Sequence, residues 1–251
     1  MAILNSTVIP YLEAGGGPGP GVDREQTFIT SNQNTEIDTS ASKSGSSSIL
    51  MNSSSNWIDT DLNILAYAGS QTTDFTIEAW LYPTVQQTGI NRGVFEHIGS
   101  GDYNTRMFMH LHNSSGLRVY YKGITVGYVT WNDLGGTITN AWHHVAFVLK
   151  YTGSTGIGSL YWNGELKNSA TVGILAQNSS SYLRIGSLIG SNQPWGGNMD
   201  MFRVSKVARY TGNFTPPTSM TNDEDTMLLL QFEGADGDTS ISSSGYLDDY
   251  Q

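Results

Sequence analysis

Cysteine is absent from the 251 residues of this chain. No disulfide or thiolate metal site can therefore support the fold, so the hydrophobic core must stabilise it alone. The sequence has no apolar run of bilayer-spanning length, which argues against a transmembrane segment and a membrane partner. Residues 1–5 lack the basic and long apolar regions of a secretory signal, so no signal peptide is predicted.

Positive charge is also scarce. The chain has 12 Lys and Arg against 22 Asp and Glu, which gives a formal net charge of -10. Proteins that bind nucleic acid draw much of their affinity from contacts between basic side chains and phosphates. The charge balance is the opposite of what such proteins need, so nucleic acid is not an expected partner.

The chain is rich in glycine and in apolar residues. Hydrophobic residues make up 38% of the chain and charged residues 14%, and there are 29 glycines. This profile is typical of short β-strands joined by many polar turns. The length suits one large β-sandwich, or at most two small domains.

Residues 1–24 differ in composition from the rest. The glycine- and proline-rich residues 14–21 favour an extended arm or linker, because glycine adds backbone freedom and proline prevents regular pairing. A disordered tail is the alternative. The short apolar segment before them buries too little surface to order itself, so we expect it to anchor on a partner. That segment consists of Val8, Ile9, Pro10, Tyr11 and Leu12.

Residues 197–204 alternate as a strand does, and the prolines at 216 and 217 end the segment that follows. The prediction is a strand followed by a compact turn. The alternation places Met199, Met201 and Arg203 on one side of the strand, and Asn198, Asp200, Phe202 and Val204 on the other.

Several motifs occur in a familiar order: Asp-Phe-Thr-Ile-Glu-Ala-Trp at 74–80, Trp-His-His-Val-Ala at 142–146, Tyr-Trp-Asn-Gly at 161–164, and the strand at 197–204. Together they resemble a laminin G-like, concanavalin A-like jelly roll. The continuation at 207–217, Val-Ala-Arg-Tyr-Thr-Gly-Asn-Phe-Thr-Pro-Pro, resembles the variety found in virion proteins of marine phages.

The resemblance covers roughly residues 27–238 and implies an all-β fold, an antiparallel jelly-roll sandwich with an extended N-terminal arm. The predicted organisation is an arm over residues 1–24, the sandwich over 25–238 and a polar tail over 239–251. The last apolar strand, which begins at Thr226, is expected to lie beside an N-terminal strand.

Two strand details follow from local pattern. In the strand that begins at residue 75, alternate residues should face one side, and Glu78 should face the other. The pair Asn163-Gly164 predicts a type I′ hairpin turn, because both positions need positive φ. In the strand that begins at residue 75, the residues predicted to share one side are Phe75, Ile77, Ala79 and Leu81.

Catalysis is not predicted. Glu78 invites comparison with glucanases, but the chain lacks their Glu-x-Asp-x-x-Glu set. His143 and His144 have no nucleophile motif beside them. The sequence therefore predicts a protein that is not an enzyme, with Glu78 in a structural role.

A sugar-stacking surface is one candidate binding site. It would use Tyr120, Tyr128, Trp131 and His110. Tyrosine and tryptophan also fill sandwich cores, which is the competing interpretation. His110 and His112 share a strand face and would bind a metal only with a third ligand, so we interpret them as the wetter face of a sheet.

The residue pattern predicts no cofactor, and calcium is the one that the resemblance implies. Calcium takes carboxylate and carbonyl oxygens. Asp59 and Asp61, or the acidic residues 223–225, would be its ligands, and solvated turns are the alternative.

Two functions fit this sequence. The first, implied by the resemblance, is a virion structural protein that decorates or cements a capsid. Its arm would hold a capsid or tail protein, or a second copy of the chain, and its location would be the virion. The alternative is a carbohydrate-binding adhesin whose aromatic residues contact host surface glycans.

Overall fold

A computed structural model of the chain describes residues 29–53, 55–64, 74–85, 89–98, 106–173, 175, 181–188 and 193–244. The named elements in these ranges are β-strands, and their pairings are antiparallel. Among the same residues, no helix has the length and hydrophobicity to cross a bilayer. The arm, with its proposed anchoring residues 8–12, lies outside the described part of the chain.

The first of two large sheets has seven strands. In order across the sheet they are β1 (Ile29–Gln33), β4 (Trp57–Thr60), β13 (Tyr182–Ile185), β6 (Arg92–Ile98), β7 (Met107–His112), β8 (Gly116–Tyr121) and β9 (Ile124–Val129). A short hairpin accompanies this sheet. It consists of β14 (Ser187–Leu188) and β15 (Gln193–Pro194).

The second sheet has eight strands. Seven of them lie in the order β12 (Glu165–Val172), β11 (Gly156–Trp162), β10 (His143–Tyr151), β5 (Phe75–Pro83), β16 (Gly197–Ser205), β3 (Ser48–Met51) and β2 (Glu36–Asp38). The eighth, β17 (Thr226–Leu230), pairs with β16. The antiparallel sandwich predicted from the sequence is confirmed.

The core lies between the two sheets. Each sheet contributes every second side chain of its strands, as the pleat requires. Phe95 from the first sheet meets Phe202 from the second, with ring centroids 6.3 Å apart. The inward side chains of β5 are Phe75, Ile77, Ala79 and Leu81, as predicted.

The predicted hairpin turn is also confirmed. Asn163 has φ 51° and Gly164 has φ 80°, so both central residues adopt positive φ between β11 and β12. A Cβ on Gly164 would lie 1.9 Å from the carbonyl oxygen of Phe214. Glycine therefore permits both the turn and the close approach of the segment after β16.

The predicted alternation of β16 is wrong at Met201. This residue has φ 51°, and the register with β5 shifts between Asp200 and Arg203, which is a β-bulge. Met201 consequently packs with Trp80 outside the main core, while Phe202 points inward.

The partner of the last strand was also predicted wrongly. β17 pairs with β16 rather than with an N-terminal strand. The turn that follows reaches the N-terminal region, where Gly237 N–H donates to the carbonyl of Ile37 at 2.8 Å and Ile37 N–H donates to the carbonyl of Asp238 at 2.8 Å.

A segment that we call the strap, residues 206–218, folds back over the outer side of the eight-stranded sheet. Tyr210 and Phe214 stack with ring centroids 3.5 Å apart and pack on Tyr161 of that sheet. Trp80 Nε1 donates to the carbonyl of Pro217 at 3.0 Å. The strap thus seals this side of the sandwich.

Candidate functional site

The outer side of the seven-stranded sheet carries aromatic and basic side chains on three adjacent strands. Alternate residues of β7 and β8 point away from the core, because their neighbours Met109, Leu117 and Val119 point into it. We call the resulting surface the aromatic face. Its members are Phe108, His110, His112, Arg118, Tyr120 and Tyr128.

The rings of the aromatic face are in mutual contact. Phe108 and Tyr120 are register partners and stack with centroids 4.7 Å apart. His110 lies edge-on to Tyr120, with centroids 6.0 Å apart. Tyr128, with 39% of its surface exposed, is the most accessible of these rings. The Tyr128 ring is therefore open toward solvent at the β9 end of the face.

His110 stands at the centre of the face with its polar atoms unused. Only 4% of the residue is exposed, and neither ring nitrogen has a hydrogen-bond partner. Burial, together with the charges of His112 and Arg118, lowers its pKa to about 3. At neutral pH the ring is uncharged and offers one N–H donor and one acceptor nitrogen.

Arg118 is the register partner of both His110 and Tyr128. Its guanidinium lies 4.9 Å from the centre of the Tyr128 ring, and Nη2 donates to Ser115 Oγ at 3.0 Å. Its Nε is shielded and has no partner. Two neighbouring residues of one face thus keep unsatisfied polar atoms, which folded proteins rarely do without a reason.

The hairpin β14–β15 borders the face. A Cβ on Gly93, the register partner of His110, would lie 2.6 Å from the backbone carbon of Ser187. Glycine at this position lets the hairpin rest on β6, beside the histidine. Gln193 of the hairpin also has a buried Oε1 without a partner.

Two other arginines of the same sheet are neutralised by carboxylates. Arg184 donates to Asp59 from Nε at 2.6 Å and from Nη2 at 2.8 Å. Arg106 forms an ion pair with Glu96. Arg118 differs from these two arginines, because its described contacts are a hydroxyl and an aromatic ring.

Asp59, one of the residues proposed as calcium ligands, is held by other contacts. Both oxygens of Asp59 accept hydrogen bonds from Arg184, and Oδ2 also accepts one from Trp57 Nε1 at 3.2 Å. Asp61 lies at the surface, where the protein atoms around it exclude some water and so raise its pKa. Within the described ranges, no three His, Asp or Glu side chains converge as a metal-binding group.

Of the four residues proposed for sugar stacking, the structure brings three together. His110, Tyr120 and Tyr128 belong to the aromatic face, whereas Trp131 packs against the hydrophobic core from the turn after β9. Sequence reasoning missed Arg118, although its alternation with Tyr120 on β8 was a usable signal.

The family of the chain follows from its sequence. It matches the concanavalin A-like lectin/glucanases superfamily over residues 52–211, which is more than half of the chain. The chain belongs to this superfamily. No curated protein gives a significant match.

Several solved structures are similar to this chain. Domain 4 of AbnA, a GH43 extracellular arabinanase from Geobacillus stearothermophilus solved with arabinotriose, is 15% identical, with a TM-score of 0.50 over 76% of this chain and 84% of that one. A candidate carbohydrate binding protein from Bacteroides ovatus ATCC 8483 is 17% identical, with a TM-score of 0.44 over 86% of this chain.

Tailspike protein 2 of the Escherichia coli O157:H7 bacteriophage CAB120 is 14% identical, with a TM-score of 0.43 over 73% of this chain. The match spans 57% of the Bacteroides protein and 27% of the tailspike. At these identities, the likenesses are ones of fold alone.

The superfamily includes glucanases, which makes the surroundings of Glu78 informative. This carboxylate is 1% exposed and lies beneath the strap. Its Oε2 accepts from the Tyr210 hydroxyl at 2.7 Å and lies 3.1 Å from His144 Nε2. Burial favours a higher pKa for Glu78, but the hydrogen bond from His144 and the charge of Arg203 hold the pKa below its usual value. Glu78 is thus an internal counter-ion that is closed to substrate.

Proposed function

We propose that the protein is a non-catalytic, carbohydrate-binding lectin-like module whose aromatic face holds the glycan. The observation that carries this proposal is His110, a buried ring with two unpartnered nitrogens among stacked aromatic side chains. Membership of a superfamily that contains lectins supports the same function.

Stacking supplies the apolar part of the proposed binding. A sugar ring has one face of C–H groups, and a flat aromatic ring covers such a face with little loss of side-chain entropy. Tyr128 is exposed and supported by Arg118, and Tyr120 is partly exposed and supported by Phe108. Both tyrosines are therefore held in place before a ligand arrives.

Hydrogen bonding supplies the polar part. A sugar hydroxyl both donates and accepts, and neutral His110 offers one nitrogen of each kind. Both nitrogens are shielded from solvent in this structure, so a ligand would reach them only after the groups that cover them move. The resulting gain in binding free energy is large, because a hydrogen bond to a buried polar group offsets the desolvation penalty of that group.

The non-catalytic part of the proposal rests on Glu78. A glycosidase carboxylate must touch the scissile bond, and a retaining enzyme needs two carboxyl groups about 5 Å apart. The ion pair with Arg203 and the overlying strap keep Glu78 from that role.

The test is a glycan array of the full chain with two variants, Tyr128→Ala and Tyr120→Ala. We expect specific binding by the natural sequence and about tenfold weaker binding by each variant. The control is Ile157→Ala, which removes an exposed apolar side chain from the other sheet and should bind normally. Equal binding by all four proteins, or no glycan bound at all, would refute the proposal.

A place in the virion is a second proposal. It is supported by the resemblance of residues 207–217 to virion proteins and by the composition of the arm. Attachment of the arm to a capsid or tail protein would present the aromatic face to glycans.

Deletion of residues 1–21 should leave the melting temperature unchanged and abolish incorporation into particles. Full occupancy by the truncated protein would rule out anchoring through the arm.

A further inference from the structure

We infer that the glycan bound by the aromatic face carries a carboxylate, and that Arg118 recognises it. This inference rests on the proposed function, since it specifies which class of sugar that face selects. The ligand class is therefore an acidic sugar, such as a uronic or a sialic acid.

The charges on this sheet set Arg118 apart from two of its neighbours, Arg106 and Arg184. Arg106 and Arg184 form ion pairs with Glu96 and Asp59. Among the residues that the structure describes, Arg118 has a serine hydroxyl and a tyrosine ring as its contacts, and no carboxylate. A chain with 22 acidic residues has many ways to neutralise an arginine, so an arginine without a carboxylate partner points to an external anion.

The geometry prepares the guanidinium for a planar ligand. Nη2 donates to Ser115 Oγ, which lies 2.6 Å from His112 Nδ1, so the serine hydroxyl can donate onward to the ring. Tyr128 supports the flat side of the guanidinium. The Nε–H remains unused. A fixed arginine with spare donors suits the two parallel oxygens of a carboxylate.

The net charge of -10 does not prevent this contact. Mobile ions screen exposed charges beyond about 8 Å at physiological ionic strength. The distant acidic groups therefore slow the approach of an anionic glycan, while the hydrogen-bonded contact with Arg118 determines how long it stays.

The experiment compares matched ligands by titration calorimetry with the full chain. One pair is oligogalacturonate and its methyl ester, and the other is sialyllactose and lactose. A sulfated lactose is the third arm. We expect the carboxylate form of one pair to bind about ten- to a hundredfold more tightly than its neutral form, and the pair that shows this identifies the source of the carboxylate.

The variants locate the effect. Arg118→Gln should reduce the ratio of affinities within each ligand pair to about one, even if the loss of its contact with Tyr128 weakens both members of the pair. Arg118→Lys should retain a smaller preference because it keeps charge without the planar fork. The control Lys150→Gln removes an exposed positive charge from the other sheet and should change neither affinity. Circular dichroism of each variant verifies folding, and Arg118→Lys serves alone if Arg118→Gln does not fold.

The outcomes separate the two proposals. Glycan binding on the array without a carboxylate preference, a preference for the sulfated sugar alone, or an unchanged preference in Arg118→Gln would overturn the inference and leave the proposed function standing. Absence of binding to every glycan would overturn both.

Discussion

The guanidinium of Arg203 donates two hydrogen bonds to one carboxylate oxygen of Glu78, from Nε at 2.9 Å and from Nη2 at 2.6 Å. The two residues are register partners on β16 and β5, and both are buried. Removing one member of such a pair leaves the other charge inside the protein without compensation. The sheet beneath the strap therefore depends on both.

Replacing Glu78 by glutamine should lower the free energy of unfolding by about 3–5 kcal/mol. Glutamine keeps the size of the side chain, so the loss reports the stranded charge of Arg203 rather than a cavity. Guanidinium chloride unfolding at pH 7, followed by tryptophan fluorescence, measures the change.

The control for that variant is Glu165→Gln. Glu165 pairs with Lys167 at the surface, 2.7 Å away, and exposed pairs contribute little. Its unfolding curve should overlay that of the natural sequence. A loss as small in Glu78→Gln would mean that the buried network contributes no more than a surface pair.

Asp200→Asn should stabilise the protein in a pH-dependent way. Burial raises the pKa of Asp200 to about 6, even though Oδ2 accepts from the backbone N–H groups of Lys43 and Ser44. The folded state thus holds a proton between about pH 4 and 6 that the unfolded state has released, so stability falls as pH rises through this window. Asparagine carries no charge and avoids the fall.

The expected gain for Asp200→Asn is near zero at pH 4 and about 3 kcal/mol at pH 7. Unfolding titrations of both proteins at the two pH values provide the difference. The amide can place its oxygen at the Oδ2 position and its N–H₂ at the unpartnered Oδ1 position. A gain that is independent of pH would show that Asp200 is charged at both values.

Gly93→Ala should displace the β14–β15 hairpin. The new methyl group would lie 2.6 Å and 2.7 Å from backbone atoms of Ser187 and Leu188, which have little room to move. We expect a loss of about 1–3 kcal/mol in unfolding free energy, and weaker glycan binding because the hairpin lies beside His110. The matched control is Gly212→Ala, where nothing lies within 4 Å. Equal stability of the two variants would disprove this explanation of Gly93.

His110→Leu should separate stability from binding. Removing two unpartnered buried nitrogens should raise the unfolding free energy by about 1 kcal/mol at pH 7 and reduce glycan affinity.

His97 is the control. It is also buried without partners, but its register partners Leu183 and Met107 belong to the core. His97→Leu should gain stability and bind normally, and weakened binding in this variant would mean that the affinity reflects general packing.

Both histidines have a lowered pKa, about 4 for His97 and about 3 for His110, because burial disfavours the charged ring. Below about pH 6.5 these histidines bind protons in the unfolded chain but stay neutral in the folded protein. Their contribution to the free energy of unfolding therefore falls as pH falls. The advantage of each leucine variant should therefore grow on acidification from pH 7 to pH 5. An advantage that shrinks would indicate that the rings are protonated in the folded state.

Local patterns predicted the strands and turns well. The alternation of residues 75–81 and the Asn163-Gly164 turn depend on backbone preferences that act over a few residues, and the structure confirms both. The bulge at Met201 could not be predicted in this way. The positive φ of Met201 accompanies the packing of its side chain on Trp80, a residue that lies far away in the sequence.

The residue types of the candidate site were visible in the sequence, and their grouping was not. Tyr120, Tyr128 and His110 are stacking and hydrogen-bonding residues wherever they lie, but a shift in the β8–β9 register after Val119 determines which of them meet. One residue of register moves a side chain to the opposite side of a sheet. Chain composition and strand periodicity thus determined the sandwich. The register between strands and the segments that cover each sheet decided which polar groups are buried with a partner, as at Glu78, and which are buried without one, as at His110.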